Sequence, residues 1–444
     1  MADTDSAPGK AADLALKLHE FYRGKVQTMP KCPVRGLEDF AVWYTPGVAE
    51  PCRAIVQDTQ SVDRYTNRGN TIAVVSDATR VLGLGNIGPK AGLPVMEGKA
   101  LLFKYLGGVE AVPLCLDTTD PDEIVRTVRI LEPSFGAINL EDIEQPKCFR
   151  VLDRLRAEAS IPVWHDDQQG TATVLLAGLI NALKVVGKEL GDARIAMIGM
   201  GAANFATYRL LKAAGAAPGL IVGCDSQGVL HPDRRDIADA RETYAEKWLV
   251  CEETNRDRVD GGIADALAGA DACVAFTRSG PDIIRPEWID RMAKDAIVFA
   301  CANPVPEIWP EQALGAGAAI AGTGRSDFPN QVNNSLAFPG IFRGVLDVRA
   351  RTISDGMAIA AANALAARAE QRGLSPTYIL PPMDDWEAAA EVAAATGMAA
   401  QEEGLAAVSV DRQTLLDTAR ATIEAAREAT HALMRDGLIA APPA

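Results

Sequence analysis

No two of the eight cysteines stand at CxxC spacing; Cys32, Cys52, Cys115, Cys148, Cys224, Cys251, Cys273 and Cys301 are scattered singly. Most sit inside apolar runs, the pattern of reduced, buried thiols in a cytosolic protein rather than of a disulfide framework. No run approaches the ~20 apolar residues that a membrane-spanning helix needs. The start, MADTDSAPGK, is polar and has no apolar stretch of secretory type. Positive charge is in deficit: 44 Lys and Arg against 59 Asp and Glu give a net charge of −15. That balance argues against a nucleic-acid or anionic-membrane partner. It does not exclude a dicarboxylate substrate, because a local group of Lys and Arg can overrule the global sign. Internal repeats and extended low-complexity tracts are also missing.

What remains is a chain of 444 residues, 48% hydrophobic and 23% charged, which fits a globular enzyme of two domains with a helical tail. Residues 11–23 have helical spacing, with Leu14, Leu18 and Phe21 on one side, and a Pro-rich connector follows. Strand-like runs then recur at 71–76, 111–116, 136–140 and 161–164, with helical segments between them such as 121–131 and 146–159. A long apolar helix over about 171–187 leads to a second alternation, with strands at 194–199, 220–225, 272–277, 296–302 and 318–322. Such alternation predicts α/β units with strands buried on both faces. The expected fold is a two-lobed α/β protein. An N-terminal α/β domain (1–165) precedes a Rossmann-like dinucleotide-binding domain (166–370), and helices from 371–444 pack back on both. The Ala-rich stretch 387–400 and the run from 412 to about 436 belong to those helices.

The segment IPVWHDDQQGTATV is the most informative in the chain, because Asp166 and Asp167 stand together at the end of an apolar run. Glu141 and Asp142 close the preceding run, GAINL, in the same way. Carboxylates are seldom buried unless paired or bound to metal. Either pair alone could be a solvated strand end. Together they point to oxygen ligands converging on Mg²⁺ or Mn²⁺.

Gly199-Met200-Gly201-Ala202-Ala203-Asn204 follows the strand RIAMI and opens a helix, the context that a dinucleotide fingerprint requires. Asn204 takes the place of the usual third glycine, so the close helix–strand approach there must be made differently. Asp225 ends the next strand, where a carboxylate would bind the ribose hydroxyls of NAD; Arg234 and Arg235 could instead hold the 2′-phosphate of NADP. Asp225 favours NAD.

Lys99, flanked by apolar residues, is a candidate general base, since burial lowers a lysine pKa. Asp166 could orient its amine while Asp167 binds metal. Tyr44, before Thr45-Pro46-Gly47, is a candidate proton donor to a carbanion or enolate carbon. Arg80 could clamp a carboxylate. The following Gly83-Leu84-Gly85-Asn86-Ile87-Gly88 reads as a substrate loop, because it lacks a strand-to-helix context. Asn303, at a strand's carboxyl end, and Asn334 are neutral hydrogen-bonding candidates.

Taken in order, WYTPGVAEPC (43–52), RGNTIAVVSDATRVLGLGNIGP (68–89), GLPVMEGKALLFKYLGG (92–108), INLEDIEQPKCF (138–149), PVWHDDQQGTA (162–172), ANPVPEI (302–308) and FPNQVNNSLAFPGIFRG (328–344) resemble the malic enzymes of the short microbial type. The resemblance is to the type expected to lack the phosphotransacetylase-like extension of some longer bacterial relatives. The resemblance implies Tyr44 as general acid, Lys99 as general base, Asp166 as the acid supporting it, and Glu141, Asp142 and Asp167 as metal ligands. It implies that Arg80, Asn303 and Asn334 contact substrate, with Asn303 also near the nicotinamide. It further implies NAD, with NADP as the other cofactor, in an oxidative decarboxylation of L-malate to pyruvate. The expected assembly is a cytoplasmic homodimer or larger homo-oligomer in which the N-terminal segment exchanges contacts. The alternative is a metal-dependent oxaloacetate decarboxylase or a malolactic-type enzyme, told apart by whether reduced cofactor accumulates. An amino-acid dehydrogenase would not need the three metal-binding carboxylates. A non-catalytic nucleotide sensor or scaffold would not depend on Lys99 or Tyr44.

Overall fold

Four parallel strands form the first sheet: β1 (Thr71–Ser76), β2 (Glu110–Cys115), β3 (Ala137–Leu140) and β4 (Val163–His165), in the order β2-β1-β3-β4. The computed structural model describes residues 7–443, so most of the polar start of the chain lies outside the described residues. The strands β1, β3 and β4 are buried almost throughout, as sheets covered by helices on both faces must be. Their side chains carry the core, with Ile72, Val74, Ile138, Leu140 and Trp164 fully enclosed.

The second sheet has six strands, in the order β10-β9-β8-β5-β6-β7. They are β5 (Ile195–Ile198), β6 (Ile221–Asp225), β7 (Gly228–Val229), β8 (Ala272–Ala275), β9 (Ile297–Ala300) and β10 (Ile320–Thr323). All neighbours are parallel except β7, a two-residue strand that folds back on β6. The strand order reverses direction at β5, the first strand of the lobe, which is where open α/β sheets leave a crevice for a dinucleotide.

The helix Thr171–Val186 joins the lobes. With the turn before it, it reaches the length and mean hydropathy (1.4) of a membrane span, so the chain does contain one such run. Yet 67% of it is buried within the protein, and Asn181 Nδ2 donates to the carbonyls of Ala366 and Ile379 at 2.9 Å each. Its apolar surface is thus spent on the core.

The C-terminal helices tie both lobes together. Phe338 and Phe342, in the helix Phe338–Asp347, pack tilted and edge-on against Phe103 of the helix Pro89–Gly107 at 4.5 and 5.1 Å between centroids. The last helix, Arg412–Arg435, returns to the same N-terminal helix, where His431 meets the Tyr105 hydroxyl at 3.1 Å. The eight cysteines are all free, and five of them are buried.

Candidate active site

Parallel pairing brings the two acidic pairs to one place. Ile138 lies opposite Val163 and Leu140 opposite His165, so the residues following β3 and β4 leave the sheet side by side at its carboxyl edge. Oxygens of Glu141, Asp142 and Asp167 lie within 4.8 Å of one another. Beside them the helix Pro89–Gly107 buries one face, Met96, Lys99, Ala100 and Phe103, the i, i+3, i+4 spacing of a helix stripe. Lys99 therefore enters the cluster from a rigid, apolar surface.

The Lys99 Nζ lies 2.7 Å from Asp166 Oδ2 and 3.0 Å from Glu141 Oε1, and sits over the Phe338 ring at 4.5 Å. Burial alone would lower the Lys99 pKa. The charges of Asp166, Glu141 and Asp167 outweigh it and hold the ammonium form above its ordinary range. Burial and mutual repulsion act the other way on the acids. Asp142 is pushed up to about 8, by burial first and then by Asp167, and burial also raises Glu141, Asp166 and Asp167 against the pull of Lys99.

Four carboxylates against one ammonium is a charge surplus that a bound cation would relieve. The donors fit a hard divalent ion, being all oxygen, and the Asp142 Oδ2 is buried without a hydrogen-bond partner. Their orientation is fixed by neighbours. Asn139 donates to Glu141 Oε2 at 2.8 Å, the Asp142 backbone N–H to Asp167 Oδ2 at 2.7 Å, and the Trp164 indole to Asp166 Oδ1 at 3.4 Å. Asn139, Trp164 and Phe338 were not singled out by the sequence. A buried Asn inside an apolar strand was the signal that could have found the first.

Asp166 to Gly170 form a single π-helical turn, a geometry that aims side chains off the regular helix and recurs at functional sites. A Cβ on Gly170 would overlap the Asp166 carboxylate. Gly170→Ala is therefore expected to lower stability by about 1–3 kcal/mol, as overpacking does, and to cut turnover by displacing the partner of Lys99. Urea unfolding together with kcat checks both effects.

The remaining candidates divide. Asn334 has its Cβ 3.4 Å from where a Gly170 Cβ would stand, so it borders the acidic turn. Arg80 is exposed, but its charge favours the ionised forms of Asp142 and Asp167, and its N–H donates to the Asp142 carbonyl at 3.0 Å. The loop after it approaches the other lobe, and a Gly83 Cβ would stand 3.1 Å from the Asn303 carbonyl. The Asn303 carbonyl, just beyond β9, thus meets the loop of the first lobe, while its side-chain amide lies beside Gly324 of its own lobe. Tyr44 is different. It caps the helix Leu37–Trp43, is 70% exposed, and its phenol makes no hydrogen bond to any described residue. Tyr44 is thus exposed where Lys99 is buried.

At the dinucleotide turn, Gly199 takes φ +87°, and a Cβ there would overlap the Phe276 carbonyl. Gly201 caps the helix Ala202–Ala213, with Met200 buried beneath the turn and Ala202 and Ala203 opening the first helical turn. Asn204 is fully buried. Its amide donates to the carbonyls of Ile198 and Gly199 at 3.1 Å and of Val274 at 3.2 Å, joining β5, the turn and β8. That is how the close approach is made without a third glycine.

Asp225 does not stand free at the end of β6. Lys247 Nζ lies 2.9 Å from Oδ2, Arg234 reaches Oδ1 at 3.2 Å, and the Gln227 N–H donates to Oδ1 at 2.9 Å. Against the cost of burial, these partners hold Asp225 below the usual carboxylate range. Arg235 is exposed and opens a short helix.

Comparison with known proteins agrees with this layout. Residues 23–156 match the malic enzyme N-terminal domain and 168–401 the malic enzyme NAD-binding domain. A bifunctional malic/malolactic enzyme of Bacillus subtilis is 48% identical over 406 residues, 91% of this chain and 97% of that one. An NAD-dependent malic enzyme of Geobacillus stearothermophilus is 48% identical over 86% of this chain and 78% of its own length. The crystal structure of Entamoeba histolytica malic enzyme superimposes with a TM-score of 0.94 at 49% identity, covering 98% of this chain and 90% of that one. The chain belongs to the malic enzyme family.

Proposed function

We propose that the acidic cluster around Lys99 carries out the oxidative decarboxylation of L-malate to pyruvate and CO₂ with reduction of NAD(P)⁺. The observation that carries this is the Lys99 amine held at 2.7 Å from Asp166 beside three convergent carboxylates. Glu141, Asp142 and Asp167 would hold Mg²⁺ or Mn²⁺, which when bound supplies Lewis acidity for the malate hydroxyl and for the enolate that follows loss of CO₂. The Gly199–Asn204 turn and Asn303 would hold the dinucleotide, whose nicotinamide when bound would accept the hydride from C2.

Lys99 takes the hydroxyl proton. To do so it must first give up its own, and a divalent cation held by Glu141, Asp142 and Asp167 would oppose the attraction that keeps the ammonium protonated. Asp166 keeps the amine aimed throughout. Arg80, Asn303 and Asn334 are assigned to the substrate, Arg80 as the partner of a carboxylate. When the C3–C4 bond breaks and CO₂ leaves, the Tyr44 hydroxyl gives its proton to C3.

The exposure of Tyr44 supports a homodimer. Leu16, Leu37, Val42, Trp43 and Val56, all from the same N-terminal segment, are exposed apolar residues at 75, 85, 61, 48 and 82%. A second copy would cover them and bring Tyr44 to a site completed between chains. We assign the lobes to 1–165 and 166–370, the helical tail to 371–444, and the working compartment to the cytoplasm, in keeping with eight free thiols.

A malolactic conversion is the second reading, favoured by the bifunctional Bacillus subtilis relative. The purified protein, given L-malate, Mn²⁺ and NAD⁺ or NADP⁺, is expected to yield pyruvate and reduced cofactor in equal amounts. Lactate without accumulating reduced cofactor would replace the first reading with the second.

A further inference from the structure

Beside the dinucleotide turn lies a cavity of about 320 Å³ lined by Gln145, Pro146, Phe149, Met200, Tyr244, Glu246 and Lys247 among others. One wall is the turn that receives the pyrophosphate; the opposite wall is the helix Ala245–Glu253, which carries Lys247. The adenosine end of the cofactor must pass between them to reach the carboxyl end of β6. At that end the acid that would select NAD is already engaged. The Asp225 side chain is 7% exposed, whereas that of Lys247 is 24% exposed. Arg234, 12% exposed, closes the other side and is shared with Asp236 at 2.8 Å.

A carboxylate selects NAD by accepting both ribose hydroxyls, which needs free oxygens facing the ribose. Here both Asp225 oxygens accept from a cation, and Oδ1 also from Gln227. What lines the cavity instead is Lys247, whose ammonium is held by Asp225 and lies 5.6 Å from the centre of the Tyr244 ring. Glu246, the acid on the same wall, is shifted by burial toward its neutral form. We propose that Lys247, oriented by Asp225 and seconded by Arg234, receives the 2′-phosphate of NADP and sets the cofactor preference of this enzyme. The inference rests on the dinucleotide role given above for this lobe, and it separates from the reaction because it can be read without malate.

The test is calorimetric binding of two cofactor fragments, 2′,5′-ADP and 5′-AMP, to wild-type protein and to Lys247→Ala and Lys247→Arg. Wild type is expected to bind 2′,5′-ADP more tightly than 5′-AMP. Lys247→Ala should weaken 2′,5′-ADP by about 10- to 100-fold, the range of a charge-assisted hydrogen bond. It should leave 5′-AMP as tight or tighter, because Asp225 is then released toward the ribose. Lys247→Arg should restore most of the 2′,5′-ADP binding, and KM for NADP⁺ should follow the fragment while kcat changes little. Equal losses for both fragments, no loss for either, or wild type binding neither overturns the inference. Fragment binding as predicted in a protein that does not oxidise malate would sink the proposed reaction and leave Lys247 standing.

Discussion

Lys99→Ala is expected to lower the turnover of L-malate by about 10²- to 10⁴-fold, the usual contribution of a positioned acid–base group. The effect should fall on kcat, because Lys99 is held for proton transfer by Asp166 and Glu141. The substitution also leaves Asp166 buried beside Glu141 without its counter-charge, and a buried ion pair broken on one side is costly. A lower unfolding midpoint should therefore accompany the loss. Binding of the cofactor fragments, which occupy the other lobe, separates the two effects. A protein that still binds them but turns over slowly has lost chemistry, whereas one that has lost both has lost its fold. Full, coupled activity in Lys99→Ala would remove the lysine from the mechanism.

Asp167→Asn should raise the Mn²⁺ concentration for half-maximal rate by more than about 100-fold, beyond the roughly 10- to 100-fold typical of residues one step removed from a metal. The change is close to isosteric, and the new amide oxygen can still accept the Asp142 N–H that Asp167 now accepts at 2.7 Å. The loss is thus one of ligand charge and not of shape. With one acid fewer, the repulsion that raises Asp142 falls, so the variant is expected to be at least as stable as wild type in chelator. An unchanged Mn²⁺ titration would discard Asp167 as a ligand.

How much of this was legible in the chain follows from range. Strands β1, β3 and β5 are short apolar runs bounded by glycine or acids, and each is found within a residue or so of its reading. The run from Ile161 misleads by two residues, since pairing with β3 starts at Val163. The strand β7 is invisible in the sequence, because two residues held by a hairpin carry no periodicity. The carboxylate cluster was readable because its members come as adjacent pairs at strand ends, and parallel strands share a carboxyl edge.

Lys247 had no such signal. It lies 22 positions beyond Asp225, on a helix whose placement over β6 is a tertiary fact, so the pairing that occupies Asp225 could not be foreseen. Burial of Lys99 was foreseen, but the sign of its net shift was not. Burial alone argues for a free amine, and only the three-dimensional count of carboxylates around it reverses that result. Tyr44 shows the remaining limit, since nothing in its motif foretells that the folded chain leaves the side chain 70% exposed.

On the proposed mechanism, a single divalent-cation site beside Lys99 serves both oxidation and decarboxylation. This is tested most directly by adding Mn²⁺ to chelator-treated wild-type protein with L-malate labelled at C4, following cofactor reduction and labelled CO₂ together. Both signals should be absent at first, then rise with one half-saturation and in equal amounts. Reduction or CO₂ release that proceeds without added cation, or that saturates separately from the other, would rule out one shared cation site.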